Sequence, residues 1–219
     1  MIFPDRREAG RQLAAALIKR DFTDKDTLVL GIPRGGLVVA DEVAKALSAK
    51  LDVIIARKLR APYQPELGIG AVVNGDHITI NKDLSRAVGA THEYLNREIA
   101  YQKEEIERRL QFYRGKHPAP EVSGKTVIVV DDGIATGYTF RAALESLRRR
   151  HPDRLIAAAP VAAYESAEML KAFADEMVCL NTPVSFFAVG AWYKNFDQVS
   201  DEEAAAILHR NWSGWSQAA

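Results

Sequence analysis

Short apolar runs alternate along the chain with longer stretches in which apolar residues recur at helical spacing. The short runs predict strands at 28–30, 53–56, 127–130, 155–163 and 177–180. The longer stretches predict helices at 9–18, 37–47, 91–113, 140–150 and 166–173. Strands that alternate with helices in this way are typical of a parallel sheet with right-handed crossovers. The pattern therefore predicts an α/β fold built on an open, mostly parallel, doubly wound sheet.

The middle of the chain interrupts this alternation. Residues 57–75 are rich in proline, glycine and charge, and they predict a long loop. A hairpin is predicted at 72–80, where two β-branched runs flank Asn74-Gly75-Asp76, a typical turn sequence. We therefore expect one domain over residues 1–219, interrupted by an insertion over 60–118 that contains a loop, this hairpin and a long helix.

Composition and charge exclude several classes of protein. Lys and Arg together number 29, as do Asp and Glu, so a broad basic surface for nucleic acid is not expected. No segment approaches the ~20 consecutive apolar residues of a membrane span, and the first residues lack the apolar core of a signal peptide. The sequence has one cysteine, Cys179, which excludes an internal disulfide. We expect a cytoplasmic protein with neither nucleic-acid nor membrane partners.

The strongest chemical signal follows the strand predicted at 127–130. Asp131 and Asp132 stand at its carboxyl end, and a loop of small residues then leads into a helix. Ligands of open α/β sheets bind beyond the carboxyl ends of the strands. Backbone N–H groups at a helix start suit a phosphate, whereas paired carboxylates suit vicinal hydroxyls or Mg²⁺. The combination suits a ribose 5-phosphate.

Two other interpretations of this segment are open. A phosphatase of the haloacid-dehalogenase type would use Asp131, but it needs an aspartate two places later, where this chain has Gly133. A plain strand-to-helix turn would use aspartate and threonine for capping alone. Two adjacent carboxylates directly after a buried strand favour a ligand site over such a turn.

Residues 127–139 resemble the phosphoribosyl-pyrophosphate signature of type I phosphoribosyltransferases: four apolar residues, two acidic residues and a small Thr-Gly loop. Pro33-Arg34-Gly35-Gly36 is similar to that family's pyrophosphate-binding loop, particularly in bacterial xanthine–guanine members. The resemblance implies a Mg²⁺-dependent, homodimeric enzyme. Such an enzyme transfers ribose 5-phosphate from phosphoribosyl pyrophosphate to a nitrogenous acceptor such as a nucleobase, and releases pyrophosphate. The alternative is a regulatory protein that binds phosphoribosyl pyrophosphate or a nucleotide without catalysis.

The resemblance also implies roles for individual residues. Asp131 and Asp132 would hold the ribose hydroxyls and contact Mg²⁺ mainly through substrate oxygens. The 5-phosphate would be bound by Ala135, Thr136, Gly137, Tyr138 and Thr139. The pyrophosphate would be bound by Arg34, Gly35, Gly36, Arg57 and Lys58, the last two at the end of the strand predicted at 53–56. The expected catalytic residues are Asp131, Asp132, Arg34 and Lys58.

The acceptor pocket of this family is a hood built from the chain ends, here expected over residues 182–219. Its aromatic residues are Phe186, Phe187, Trp192, Tyr193 and Phe196. Trp192 and Tyr193 are the candidates for stacking on a flat base, and the alternative is that the rings pack the hood itself. The insertion would contain the flexible loop that closes over the donor. Ala135 stands where hypoxanthine–guanine enzymes carry an acid, so the signature does not specify the base.

Overall fold

The computed structural model describes residues 1–22, 26–74 and 77–216, and its elements largely follow the predicted alternation. The strands are β1 (Thr27–Gly31), β2 (Lys50–Val53), β3 (Ala56–Ala61), β4 (Gln64–Val73), β5 (His77–Ile80), β6 (Thr126–Val130), β7 (Arg154–Val161) and β8 (Glu176–Asn181). The α-helices are α1 (Arg6–Ile18), α2 (Gly35–Leu47), α3 (Lys82–Ala87), α4 (His92–Arg114), α5 (Tyr138–Arg148), α6 (Tyr164–Leu170) and α7 (Asp201–Ser216). A short 3₁₀ helix spans Val189–Trp192. Within the described ranges, no helix is both long and apolar enough to cross a membrane.

The central sheet has five parallel strands in the order β2-β1-β6-β7-β8. Every residue of β6 is buried, because its side chains alternate between two covered faces. Ile128 and Val130 belong to the core shared with α1, α2 and α7, whereas Val127 and Val129 pack with α5 and α6. The predicted doubly wound α/β architecture is thereby confirmed.

A second, antiparallel sheet in the order β3-β4-β5 occupies the segment for which the sequence predicts a long loop, so the prediction over 57–75 was wrong. Leu59 and Ile69 are fully buried on this sheet. Gly70 is one source of the error, because glycine is a poor strand signal. A Cβ at that position would lie 2.2 Å from the Thr79 carbonyl oxygen on β5, so glycine is needed where the two strands approach.

The strand predicted over 53–56 is also divided differently in the structure. β2 ends and β3 begins within this segment, so the apolar run crosses from one sheet to the other. The two intervening residues, Ile54 and Ile55, are buried throughout the crossing. As a result, Arg57 and Lys58 open a strand of the second sheet instead of ending a strand of the central one.

The hairpin and the long helix of the insertion are confirmed. β4 pairs antiparallel with β5, although residues 75–76 of the turn lie outside the described residues. The helix predicted over 91–113 is α4. It is tied to β3 by Arg60, whose guanidinium donates to both carboxylate oxygens of Glu98, at 2.8 and 3.1 Å.

Helix α7 lies in a segment for which the hydrophobic pattern predicts no element. Its local signal in the sequence is the capping-box spacing of Ser200 and Glu203. In the structure, the Ser200 hydroxyl accepts a hydrogen bond from the Glu203 N–H at 3.1 Å. Ile207 and Leu208 then pack into the same core as α1 and α2. The capping box and the following apolar positions are sufficient to indicate this helix.

Candidate active site

Two loops meet at the carboxyl edge of the central sheet, one after β1 and one after β6, which pair along their whole length. The first loop leads into α2 through Gly35 and Gly36, and the second begins with Asp131 and Asp132. A Cβ on Gly35 would lie 1.9 Å from Asp132 Oδ2, and one on Gly36 would lie 2.9 Å from Asp131 Oδ1. Only glycine therefore lets the first loop lie directly against the acidic pair.

Asp132 is held by two segments that are distant in the sequence. Arg6 Nε donates to Asp132 Oδ2 at 2.6 Å, and the two side chains are only 11% and 14% exposed. The same guanidinium donates from Nη1 to the carbonyl oxygen of Asp197 at 2.8 Å and stacks on Phe196, with Cζ 3.7 Å from the ring centroid. The Tyr193 hydroxyl donates to the carbonyl oxygen of Asp132 at 2.5 Å.

The carboxyl group of Asp131 faces inward. Its Oδ1 accepts a hydrogen bond from the Asp132 N–H at 2.8 Å. Burial raises the pKa of Asp131 well above its usual range, and the charge of Asp132 raises it further, whereas the Asp132 N–H opposes the rise. Burial, followed by the charge of Asp132, also raises the pKa of Tyr193, which therefore stays a neutral donor. A partly buried acid whose pKa is strongly shifted by its surroundings is typical of functional sites.

The small-residue loop after the acidic pair leads into α5. Gly137 has φ +72°, the left-handed conformation that favours glycine, at the position preceding the helix. The Ser166 hydroxyl donates to the carbonyl oxygen of Ala135 at 2.5 Å and so ties the loop to α6. Thr136 and Tyr138 are exposed, and Thr139 is partly exposed. The loop thus presents the free N–H groups of the first turn of α5 at the same edge as the acidic pair.

The segment around the 3₁₀ helix lies directly on the acidic loop. A Cβ on Gly133 would lie 2.3 Å from Val189 Cγ1, so Val189 fills the space beside that glycine. A phosphatase of the haloacid-dehalogenase type needs an aspartate at position 133, and this packing leaves no room for one.

Aromatic side chains of this segment differ in their surroundings. Tyr193 is 6% exposed and packs between Phe3 and Phe196, with ring centroids 5.5 and 5.1 Å away. Trp192 stacks with Phe186, the centroids being 6.3 Å apart and the planes 21° from parallel. Tyr193 thus packs between the start of the chain and its own segment, and it supports Asp132 through its hydroxyl.

The side chains of Arg57 and Lys58, on β3, are engaged by α4 and by β4. Arg57 Nε donates to Gln102 Oε1 of α4 at 2.5 Å. Lys58 Nζ pairs with Glu66 Oε2 of the neighbouring strand at 3.0 Å. Burial lowers the pKa of Arg57, and the nearby positive charge of Arg109 lowers it further. Lys58 thus contacts β4 and not the acidic pair.

Arg34, at the start of α2, and Arg109, on α4, both act on the pKa of Tyr113 near the end of α4. Burial and a hydrogen bond to Asp201 raise the pKa of Tyr113, and the charges of Arg109 and Arg34 oppose that rise. The Nε atom of Arg109 is buried and has no hydrogen-bond partner among the described residues. Arg34 and Arg109 therefore lie within electrostatic range of Tyr113, and Arg57 lies within range of Arg109.

A family model of the phosphoribosyl transferase domain matches residues 4–194. The chain belongs to the phosphoribosyl transferase family. The match covers the glycine loop, the acidic pair, the loop before α5 and the 3₁₀ segment.

Known proteins similar to the chain agree with this family. Two Mycobacterium tuberculosis proteins, from strains CDC 1551 / Oshkosh and H37Rv, are each provisionally described as a phosphoribosyl transferase. Each is 42% identical to this chain over 210 residues, which is 95% of this chain and 47% of the relative. The chain therefore spans about half the length of the curated relatives it matches. The crystal structure of TT1426 from Thermus thermophilus is 44% identical, with a TM-score of 0.83 over 96% of this chain and 99% of that one. AQ2163 from Aquifex aeolicus, 13% identical with a TM-score of 0.50 over 93% of this chain and 84% of that one, shares the fold.

Arg6, which contacts the acidic pair, and Arg109 of α4 are not indicated by sequence reasoning. Arg6 is separated from Asp132 by 126 positions, so no local pattern joins them. Arg109 carries a weak signal, because it is a basic residue between the buried positions Ile106 and Tyr113 of an amphipathic helix.

The donor groups at the site fit a Mg²⁺ ion that is largely surrounded by substrate and water. Within the described part of the chain, no group of three or more His, Cys, Asp or Glu side chains could hold a metal ion. The adjacent carboxylates of Asp131 and Asp132 offer oxygen ligands, and Arg6 already engages one of those oxygens. Carboxylate oxygens in small number, completed by substrate phosphates and water, are the usual environment of protein-bound Mg²⁺.

Proposed function

We propose that the chain is an enzyme that transfers ribose 5-phosphate from phosphoribosyl pyrophosphate to a nitrogen atom of a small acceptor, with release of pyrophosphate. The observation that carries the proposal is the direct packing of Gly35 and Gly36 against Asp131 and Asp132, with the start of α5 beside them. Two helix starts that suit phosphate then flank a pair of carboxylates that suit a diol. Membership of the phosphoribosyl transferase family supports the same chemistry.

In the proposed reaction, the bond between C1 of the ribose and the pyrophosphate oxygen breaks, and a bond between C1 and the acceptor nitrogen forms. The bonding electrons leave with pyrophosphate, and the acceptor nitrogen loses its proton. Positive charge develops on the ribose ring as the old bond breaks. Asp131 and Asp132, placed at the hydroxyls, provide a negative field that stabilises this charge more than it stabilises the substrate.

The 5-phosphate would lie at the loop from Ala135 to Thr139. The N–H groups at the start of α5 and the hydroxyls of Thr136 and Thr139 are its donors, and the positive end of the helix favours its charge. The tie between Ser166 and Ala135 would keep this loop in place before the ligand arrives.

The pyrophosphate would lie against Arg34, Gly35 and Gly36. Arg34 stands at the start of α2, beside the glycines that touch the acidic pair. Arg57 of β3 and Arg109 of α4 would contribute further positive charge. Lys58 could join them only by leaving Glu66, which is 99% exposed at its side chain and therefore holds it weakly. Bound Mg²⁺ would neutralise pyrophosphate oxygens and so improve the leaving group.

The acceptor would enter beside the 3₁₀ segment, which covers Gly133 directly after the acidic pair. Trp192 and the nearby Phe186 and Phe187 offer flat faces there, and Phe187 is 96% exposed. Aromatic faces of this kind suit a planar nitrogenous base. In this proposal, the hood expected over residues 182–219 would present its aromatic part to the acceptor.

The proposal is tested by calorimetric titration of phosphoribosyl pyrophosphate, with and without Mg²⁺. The wild type is compared with Asp131→Asn/Asp132→Asn, in which two charges are lost but the shapes are kept. Asp83→Asn/Asp153→Asn is the matched control, because it removes two exposed aspartates away from the site. We expect Mg²⁺-assisted binding that is lost in the site variant and kept in the control.

An acceptor screen for pyrophosphate release then separates catalysis from binding alone. Release that needs Asp131 and Asp132 supports the transferase. Saturable binding with no release across nucleobases and other nitrogenous acceptors would instead favour the regulatory protein, and failure of the folded wild type to bind would remove both. The homodimer stays a prediction, which light scattering in solution tests.

A further inference from the structure

Arg6 bonds to one of the two carboxylates on which the proposed ribose site depends. We infer that Arg6 is a positioning residue for the ribose: it holds Asp132 so that the free oxygen, Oδ1, receives a ribose hydroxyl. This inference rests on the proposed function. Arg6 lies at the start of α1, outside the two loops that carry the family signature.

The position of Arg6 does not depend on Asp132 alone. An arginine that is held only by a carboxylate can be displaced by an arriving ligand. Arg6 also donates from Nη1 to the Asp197 carbonyl oxygen at 2.8 Å, and its guanidinium lies on the Phe196 ring at 3.7 Å. Neither contact involves the Asp132 carboxylate, so we expect both to persist when Asp132 engages a hydroxyl. The ligand is therefore expected to bind with the ion pair in place.

The surroundings of Asp132 leave one carboxylate oxygen for the ligand. Oδ2 accepts from Arg6 Nε at 2.6 Å and faces Gly35, where a Cβ would lie 1.9 Å from it. The backbone of Asp132 is fixed as well, because its carbonyl oxygen accepts from the Tyr193 hydroxyl at 2.5 Å. The carboxylate cannot rotate without breaking its bond to Arg6, so Oδ1 is presented in one orientation.

Charge supports the same role. Asp131 and Asp132 are adjacent, and two carboxylates at one site repel each other. The ion pair with Arg6 offsets the charge of Asp132 on the side away from the ligand. Arg6 thereby stabilises two neighbouring acids as hydrogen-bond acceptors without occupying Oδ1.

Binding of three ligands to two Arg6 variants tests the inference. Ribose 5-phosphate carries the vicinal hydroxyls, 2-deoxyribose 5-phosphate lacks one of them, and inorganic pyrophosphate has none. We expect Arg6→Gln to weaken ribose 5-phosphate binding by about 10- to 100-fold, the effect of losing a charge-assisted contact. The deoxy sugar should be affected less, and pyrophosphate should bind as in the wild type.

Arg6→Lys and Arg11→Gln complete the comparison. Lysine keeps the charge but cannot reach both Asp132 and the Asp197 carbonyl oxygen as a planar fork does, so ribose 5-phosphate affinity should be intermediate. Arg11 is on the same helix and pairs with Glu8 at the surface, with 55% of its side chain exposed. Its variant should bind all three ligands normally. If Arg6→Gln does not fold, Arg6→Lys provides the same selectivity test.

The outcomes separate this inference from the proposed function. Equal loss of all three ligands would show a merely structural role, and no loss would show that Asp132 needs no support; either result overturns the inference while the transferase stands. If the folded wild type binds neither ribose 5-phosphate nor phosphoribosyl pyrophosphate, the proposed function itself fails.

Discussion

Three glycines shape the candidate site by the side chains they lack. Gly35 and Gly36 bring the loop after β1 onto the acidic pair, and Gly133 admits Val189 from the 3₁₀ helix. None of these three has the positive φ that usually explains a glycine, so close approach is the reason for each. The site therefore tolerates little change at these three positions.

Gly35→Ala should disrupt the site without a change in charge. The new methyl group would lie 1.9 Å from Asp132 Oδ2 and 2.7 Å from Arg6 Nε, so both groups must move. We expect a loss of about 1–3 kcal/mol in the free energy of unfolding, the usual cost of overpacking. Calorimetry should also show weaker binding of ribose 5-phosphate.

Gly68→Ala is the matched control for that substitution. Its nearest neighbour would be Lys58 Cβ at 3.7 Å, an ordinary contact. Equal effects of the two variants would contradict the account given for Gly35.

At the scale of elements, the insertion is anchored by polar contacts between α4 and β3. Glu98 is 7% exposed and accepts from the Arg60 guanidinium and from Gln102 at 2.8 Å. Burial alone would raise the pKa of Glu98, but the hydrogen bonds from Arg60 and Gln102 outweigh it, and the pKa lies below its ordinary value of 4.5. The ionised form is therefore the one that stabilises the packing of α4.

Glu98→Gln should change how stability depends on pH. Because the pKa of Glu98 is lowered on folding, its ionised form contributes stability above the unfolded pKa, and this contribution is lost as the pH falls through the folded value. The wild type should exceed the variant in free energy of unfolding at neutral pH, and the difference should shrink as the pH falls below the ordinary glutamate pKa of 4.5 and through the lowered folded value. Chemical denaturation at several pH values measures this difference.

Glu107→Gln, on an exposed position of the same helix, is the control and should follow the wild-type profile. A wild-type advantage over Glu98→Gln that stays constant with pH would show that the shape of the side chain matters and its charge does not.

Across the whole molecule, one buried ion pair joins the insertion to the central sheet. Arg114, at the end of α4, donates to Asp52 Oδ1 of β2 at 2.9 Å and to the Val53 carbonyl oxygen at 2.8 Å. The two side chains are 10% and 3% exposed. Burial raises the pKa of Asp52 even though Arg114 lowers it, so the ionised form is costly at this position.

Arg114→Gln should destabilise the protein by about 3 kcal/mol at neutral pH, because it leaves a buried carboxylate without its partner. The loss should be smaller at acidic pH, because burial already raises the pKa of Asp52 and the missing arginine raises it further, so the carboxyl group takes up a proton more readily. Denaturant titration at neutral and at acidic pH measures the effect.

Two further variants give the comparison its controls. Asp52→Asn/Arg114→Gln should recover part of the loss, since no buried charge is left unpaired. Arg108→Gln removes an exposed pair with Glu105 and should cost less than about 1 kcal/mol. An Arg108 variant as unstable as the Arg114 variant would contradict the importance of burial.

Local patterns in the sequence predict the central sheet well because each buried strand and helix is a continuous apolar signal. They fail for β3 and β4, where Gly70 and charged residues interrupt the alternation, and at Ile54-Ile55, where one apolar run serves two sheets. The acidic pair and the glycine loop are visible because each is contiguous. The contact between Arg6 and Asp132 is not visible in the sequence, because it depends on the tertiary fold and leaves no trace within any short window.

The contacts of Arg6 also determine when the site is completed during protein synthesis. Arg6 leaves the ribosome 126 residues before Asp132 and 191 residues before Asp197. At the usual rates of elongation, Arg6 waits roughly 10 to 40 s for the last of these partners. The central strands β1 and β6 have emerged by then, so their pairing can form before the contacts that fix Arg6 are complete. A nascent chain that stalls between residues 133 and 197 would therefore carry the glycine loop and both aspartates, but not the complete set of contacts that fixes Arg6.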